Sequence, residues 1–168
     1  LRAGDDATLK LLRRVAAAIE PPMLDRGGHI VKRMGDGLMA VFPGPDVAIT
    51  AALAAGAAIE DVAVDGYTPR MRVGIHTGHP QRIGSDWLGV DVNIAARVME
   101  RATKGGVVVS GPTLDLLRPG RLAEMGVTAR RVRRQVFAAR SSGVPPDLTM
   151  YRLTVRREPT GADGGLED

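Results

Sequence analysis

Asn93 and Arg97 stand four residues apart in the stretch Val90-Asp91-Val92-Asn93-Ile94-Ala95-Ala96-Arg97. On a helix that spacing puts both on one face. Val90, Val92, Ile94 and Ala95 read as its buried surroundings. Asparagine is a mediocre helix former that competes for backbone hydrogen bonds. A polar Asn–Arg stripe among such neighbours has either a structural hydrogen bond or a ligand as its reason. A second group is Lys32-Arg33-Met34-Gly35-Asp36-Gly37, and a third is Asp86-Trp87-Leu88-Gly89. Each has a plain reading. Asp36 between two glycines is an ordinary hairpin residue, Lys32 an exposed strand residue, and Asp86 a loop residue or cap. His29, His76 and His79 share no spacing that suggests zinc or a Ser-His-Asp arrangement. His76 reads as a packing or hydrogen-bonding residue.

The elements that must position these groups follow from periodicity and turn signals. Leu9, Leu12, Ala16, Ile19 and Met23 recur at helical spacing behind Asp5 and Asp6, which can cap. Pro21-Pro22 is expected to kink or end that helix. Residues 29–34 and 38–42 read as strands about a Gly35-Asp36-Gly37 turn. Asp46 caps an Ala-rich helix to about residue 62. Residues 71–76 read as a strand, 77–89 as a polar loop or long hairpin tip, and 90–102 as a helix that ends at Gly105-Gly106. Residues 107–110 form a short buried strand and 113–117 a short helix. Residues 131–138 and 149–155 close the sheet. This order predicts an α+β sandwich, one sheet with helices on one face. A strand preceding Leu9 would complete a ferredoxin-like βαββαβ core with extra C-terminal strands. The chain starts at Leu1 rather than Met, so that first strand is expected upstream. Residues 1–158 read as one domain and 159–168 as a flexible tail.

Composition agrees. The 168 residues are 44% hydrophobic, enough for one core, with 3% aromatics and no cysteine. The last point excludes a disulfide framework and thiolate metal sites, and it suits a reducing cytoplasm. No apolar run reaches membrane-span length, so this segment is expected to make no membrane contact. The net charge of +4 is uneven, with Arg130, Arg131, Arg133 and Arg134 in one run. A solvated strand edge explains such a run. A phosphate-attracting channel is the sharper alternative. No interleaved aromatics or helix-turn-helix pattern supports nucleic acid.

Three motifs together resemble the class III nucleotide cyclases, the group of adenylate and guanylate cyclases, and most closely the bacterial homodimeric members. They are Lys-x-x-Gly-Asp at 32–36, Val-Gly-Ile-His-Thr-Gly at 73–78 and Gly-x-x-Val-Asn-x-Ala-Ala-Arg at 89–97, in order and at the right spacing. The resemblance runs from about Asp5 to Leu153. It implies that ATP is cyclised to 3′,5′-cyclic AMP and pyrophosphate by attack of the ribose 3′-hydroxyl on the α-phosphate. Two divalent ions, Mg²⁺ or Mn²⁺, would assist. Asp36 matches a metal-binding aspartate, Asn93 the ribose-orienting residue, and Arg97 the residue that stabilises charge on the α-phosphate. Lys32 and Asp86 match the pair that selects the base. Lysine only donates and aspartate only accepts, which suits adenine's N1 and 6-amino group and opposes guanine. The family's other metal aspartate lies on the first strand and has no match here. Relatives also carry a triphosphate-binding Lys before a late Gly-Val-Pro. Here the motif reads Ser142-Gly143-Val144-Pro145, and Arg140 is the candidate for that role. The resemblance further implies a head-to-tail homodimer with shared sites.

Two alternatives stand beside this. A diguanylate cyclase would also set an acid in a hairpin, but as Gly-Gly-Asp-Glu-Phe, without the Asn93–Arg97 helix. A catalytically silent dimerising or nucleotide-sensing domain would not need Lys32, Asp36, Asp86, Asn93 and Arg97 together.

Overall fold

A computed structural model describes residues 2–133 and 144–156. The first helix, α1 (Arg2–Leu24), carries Asp5 in its first turn and passes through Pro21 and Pro22. The prolines therefore do not end it. Each removes only its own amide donor, and the amide of Asp25 still reaches the Pro21 carbonyl at 2.9 Å. Met23, buried beside Ile19, anchors this last turn.

Strands β1 (His29–Met34) and β2 (Gly37–Val41) form an antiparallel hairpin. Gly35 takes φ +62° at the first turn position, a conformation glycine adopts without a Cβ penalty. The pairing is irregular. Ile30 faces Ala40 and Lys32 faces Met39, which leaves Val31 as a bulge. Helix α2 (Pro45–Glu60) starts one residue before the expected cap. Gly44 holds the N-cap position, and Asp46 accepts the Val47 amide at 2.9 Å.

The segment expected as a loop or long hairpin tip contains a two-stranded hairpin, β4 (Gln81–Ile83) and β5 (Asp86–Leu88), between β3 (Arg72–Ile75) and α3 (Val90–Glu100). Next come β6 (Gly106–Ser110), the short helices α4 (Gly111–Asp115) and α5 (Arg121–Glu124), β7 (Val127–Arg131) and β8 (Met150–Val155). The strand expected over 131–138 therefore ends where it was expected to begin, and residues 134–138 lie outside the described part. The fall of burial along β7, from Val127 to four exposed residues, explains the error. An exposed edge carries no apolar alternation to read.

The main sheet has the order β3-β6-β8-β7, with β3 and β6 parallel and the other pairs antiparallel. Its helices lie on both faces, not one. Val107 and Val109 pack with Ile49 and Ala52 of α2, whereas Val108 packs with Ile94 and Val98 of α3 and with Ala102 just beyond it. An unbroken valine run is the mark of a strand buried on both sides. Helix α3 crosses its face very closely. A Cβ on Gly74 would overlap the backbone of Ala95 and Met99. The described residues thus form a mixed α+β fold of one four-stranded sheet and two hairpins.

Candidate active site

The bulge at Val31 decides where Lys32 points. Met39 and Ala40 are neighbours on β2 and face opposite ways, so their partners Lys32 and Ile30 do too. Ala40 and Leu38 pack toward the α1–α2 core. Arg33, opposite Leu38, turns the same way and pairs with Glu20 of α1. Lys32 is thereby turned from α1 to the other side of the hairpin. There its Nζ meets Asp86 Oδ2 at 2.9 Å. The other oxygen of Asp86 accepts the amide of Trp87 at 2.7 Å. The Lys32 hydrogen bond, and after it the Trp87 amide, hold the Asp86 carboxyl below the usual carboxylate range. The two side chains remain 35% and 37% exposed, so a ligand can reach both.

Asn93 and Arg97 lie on the exposed side of α3, opposite the buried Ile94 and Val98. Val90, expected to be buried near them, is 51% exposed, because it is the first residue of the helix and sits above the core. Among the described residues the Asn93 side chain makes no hydrogen bond. Arg97 pairs with Glu100 one turn on. Such an exposed pair is worth only about 0.3–0.5 kcal/mol, so a phosphate could displace Glu100. Asp36 is exposed at the tip of the β1–β2 hairpin and makes no ion pair among the described residues. The structure thus joins Lys32 to Asp86 and Asn93 to the face of Arg97, but it does not bring Asp36 into contact with either pair. Arg140 lies outside the described residues.

Sequence reasoning missed one polar cluster. His76 Nδ1 lies 2.7 Å from Ser110 Oγ, and its Nε2 lies 3.1 Å from Asp91 Oδ1. Ser110 in turn bonds Thr113 at 2.8 Å. A Ser-His-Asp line is therefore present, contrary to expectation. Ser110 is fully buried, so it is a structural hydroxyl rather than a nucleophile. The expectation that His76 serves hydrogen bonding holds. The available signal was Asp91 in the first turn of a helix whose cap is a glycine, where a carboxylate is free to bond elsewhere.

A divalent-ion site is only partly furnished. Among the described residues no group of three or more His, Cys, Asp or Glu side chains converges. Asp36 alone, with substrate oxygens and water, gives part of a magnesium-type donor set. The two-ion arrangement does not fit the described residues of a single chain. No helix among them is long and apolar enough to cross a membrane.

Comparison with known proteins places the chain in a family. Over 142 residues the chain is 28% identical to a pH-sensitive adenylate cyclase of Mycobacterium tuberculosis, which covers 82% of this chain and 33% of that protein. The chain therefore spans about a third of the length of that relative. The structure resembles adenylate cyclases from Trypanosoma brucei in their monomeric state, with TM-score 0.70 and 20% identity over 90% of this chain and 82% of the other. It resembles the guanylyl cyclase Cya2 equally, with TM-score 0.69 and 19% identity over 94% and 85%. At those identities the likeness is one of fold. The family model for the adenylate and guanylate cyclase catalytic domain matches residues 6–151. The chain belongs to the adenylate and guanylate cyclase catalytic domain family.

Proposed function

We propose that this domain converts ATP to 3′,5′-cyclic AMP and pyrophosphate, as part of a homodimer. The observation that carries the choice of ATP is the Lys32–Asp86 pair at 2.9 Å. It sets a pure donor beside a pure acceptor at one accessible edge. Adenine offers N1 to the ammonium and its 6-amino group to the carboxylate. Guanine in the same position presents a donor at N1 and an acceptor at O6, so both contacts oppose. A site built on hydrogen-bond polarity discriminates strongly, because the wrong base leaves its groups unpaired.

Beside the base pair, Asn93 orients the ribose. Arg97 exchanges Glu100 for the α-phosphate and stabilises the negative charge that builds there as the 3′-oxygen attacks and pyrophosphate leaves. Asp36 would supply one ligand to a divalent ion, Mg²⁺ or Mn²⁺, which would neutralise charge on the triphosphate. Arg140 remains a candidate for the terminal phosphates.

Two features support the homodimer. Lys32 and Asp36 lie four residues apart around one hairpin, yet in this reading they serve opposite ends of a nucleotide. A two-fold pair resolves this, because each hairpin gives its Lys to one site and its Asp to the other. Met34, Leu88 and Val90, on the elements that carry the site, also leave 54%, 44% and 51% of their surface exposed. Exposed apolar side chains on these elements are available to a partner surface.

The test is turnover by the intact protein of ATP and GTP separately, with Mg²⁺ and with Mn²⁺. Cyclic AMP and pyrophosphate should form in equal amounts, and kcat/KM should favour ATP. A preference for GTP would overturn the base reading. No turnover with either nucleotide, in a protein that still binds ATP, would favour the silent nucleotide-sensing alternative.

A further inference from the structure

Asp91 occupies the second position of α3, where a carboxylate ordinarily turns back onto the free amides of its own helix. It does not do so here, and α3 has no side-chain cap. Both oxygens point away from the helix. Oδ1 meets His76 Nε2 at 3.1 Å, beyond the end of β3, and Oδ2 accepts the backbone amide of His79 at 2.9 Å, just before β4. A carboxylate can only accept, so Nε2 is the donor. In a neutral ring Nδ1 then accepts from Ser110, whose oxygen accepts from Thr113. The direction of the whole chain is thus fixed from its carboxylate end, and no buried side-chain polar atom among the described residues lacks a partner.

The backbone around Asp91 is shaped to the same contact. A Cβ on Gly78 would overlap the Asp91 carboxyl. Gly89 takes φ +138°, which places the start of α3 beside Pro80. Residues 79–91 consequently form a closed circuit: out along β4, back along β5 through Asp86, round Gly89, and home through the Asp91 carboxylate to the His79 amide. Asp86 lies inside that circuit, and Asn93 and Arg97 follow directly from its clasp.

We propose that Asp91, held by His76, is a positioning residue that locks the base-reading hairpin to the helix carrying Asn93 and Arg97, so that the base and ribose ends of one nucleotide are held in a single frame. The proposal rests on the cyclase reading above. It gives His76 and Gly78 a shared purpose that neither the fold nor direct substrate contact explains. A loosened clasp would let Asp86 and Asn93 drift independently, and a misplacement of about 1 Å can cost about 100-fold in rate.

The test uses Asp91→Ala and Gly78→Ala in the intact protein, which break the same clasp from opposite sides. Both should lower kcat by about 100-fold and narrow the preference for ATP over GTP, a loss far beyond what the accompanying fall in folded fraction accounts for. Asp91→Asn, which keeps an acceptor for the His79 amide, should recover part of both. Amide hydrogen exchange supplies an independent reading, in which segments 81–88 and 90–97 should lose protection together. A rate loss that merely follows the unfolded fraction, with the nucleotide preference unchanged, would overturn the proposal. So would exchange that rises in one segment alone. If the wild-type protein turns over neither nucleotide, the cyclase reading fails, and the exchange comparison decides the clasp by itself.

Discussion

Lys32 and Asp86, 54 residues apart in the chain, are joined at 2.9 Å because one unpaired residue, Val31, turns Lys32 away from α1. In a regular strand Lys32 would have shared the face of Ile30, and Asp86 would have stood without its cation.

The first prediction concerns base choice. Lys32→Glu replaces the donor by a second acceptor beside Asp86. The ATP-to-GTP ratio of kcat/KM should collapse, by far more than loss of an exposed charge explains. Steady-state kinetics with both nucleotides would check this. An unchanged ratio would mean that the base is read elsewhere.

The same pair fixes a pH dependence. Asp86 is held below the usual carboxylate range, first by Lys32 and then by the Trp87 amide. Its folded pKa therefore lies below its unfolded one. The pair adds stability above the ordinary carboxylate range, and that stability is lost as pH falls through the folded value. Lys32→Met should raise the titration midpoint of Asp86, read from its carboxyl carbon by NMR, and flatten this acid-side loss. A midpoint unmoved by the substitution would remove Lys32 as the cause.

Shared sites predict complementation. Asp36→Asn and Asn93→Ala should each be folded and inactive alone. In a mixed dimer one site collects both lesions and the other collects none. Random re-pairing makes about half the dimers mixed, so roughly a quarter of wild-type activity should return. If none returns while chain exchange is demonstrated, each site is built within one chain.

A fourth prediction concerns the scaffold. Gly74→Ala would force α3 off β3, since the new methyl meets the Ala95 and Met99 backbone. Denaturant unfolding should show a loss of about 1–3 kcal/mol. Activity should fall with it, because α3 carries Asn93 and Arg97. Wild-type stability would show that α3 can shift freely.

The local sequence announced much of this. The Gly35-Asp36 turn, the valine strand and the polar stripe of α3 are all visible in short windows, because each depends on neighbours in the chain. What escaped depended on partners far away. Nothing near Val31 signals a bulge, since its register is set against β2. Pro21 and Pro22 looked like a kink or a stop, yet α1 runs past them with Met23 buried in its last turn. The helices were expected on one side, although the run Val107-Val108-Val109 already asked for cover on both. The Asp91–His76–Ser110 line was invisible for the same reason: its members come from α3, the residue after β3, and β6, and meet only through the fold.

The order β3-β6-β8-β7 gives the sheet an unusual schedule of assembly. The strand that fills its interior, β8, is the last of the described strands along the chain. Until Met150–Val155 are in place, β6 has only β3 beside it, and one edge of a valine-rich strand stays unpaired. Such an edge is a template for pairing with other chains. A nascent or truncated chain ending before Met150 should therefore be prone to aggregate, however complete its candidate site residues are. On this expectation, solubility turns on a strand that carries none of the candidate site residues.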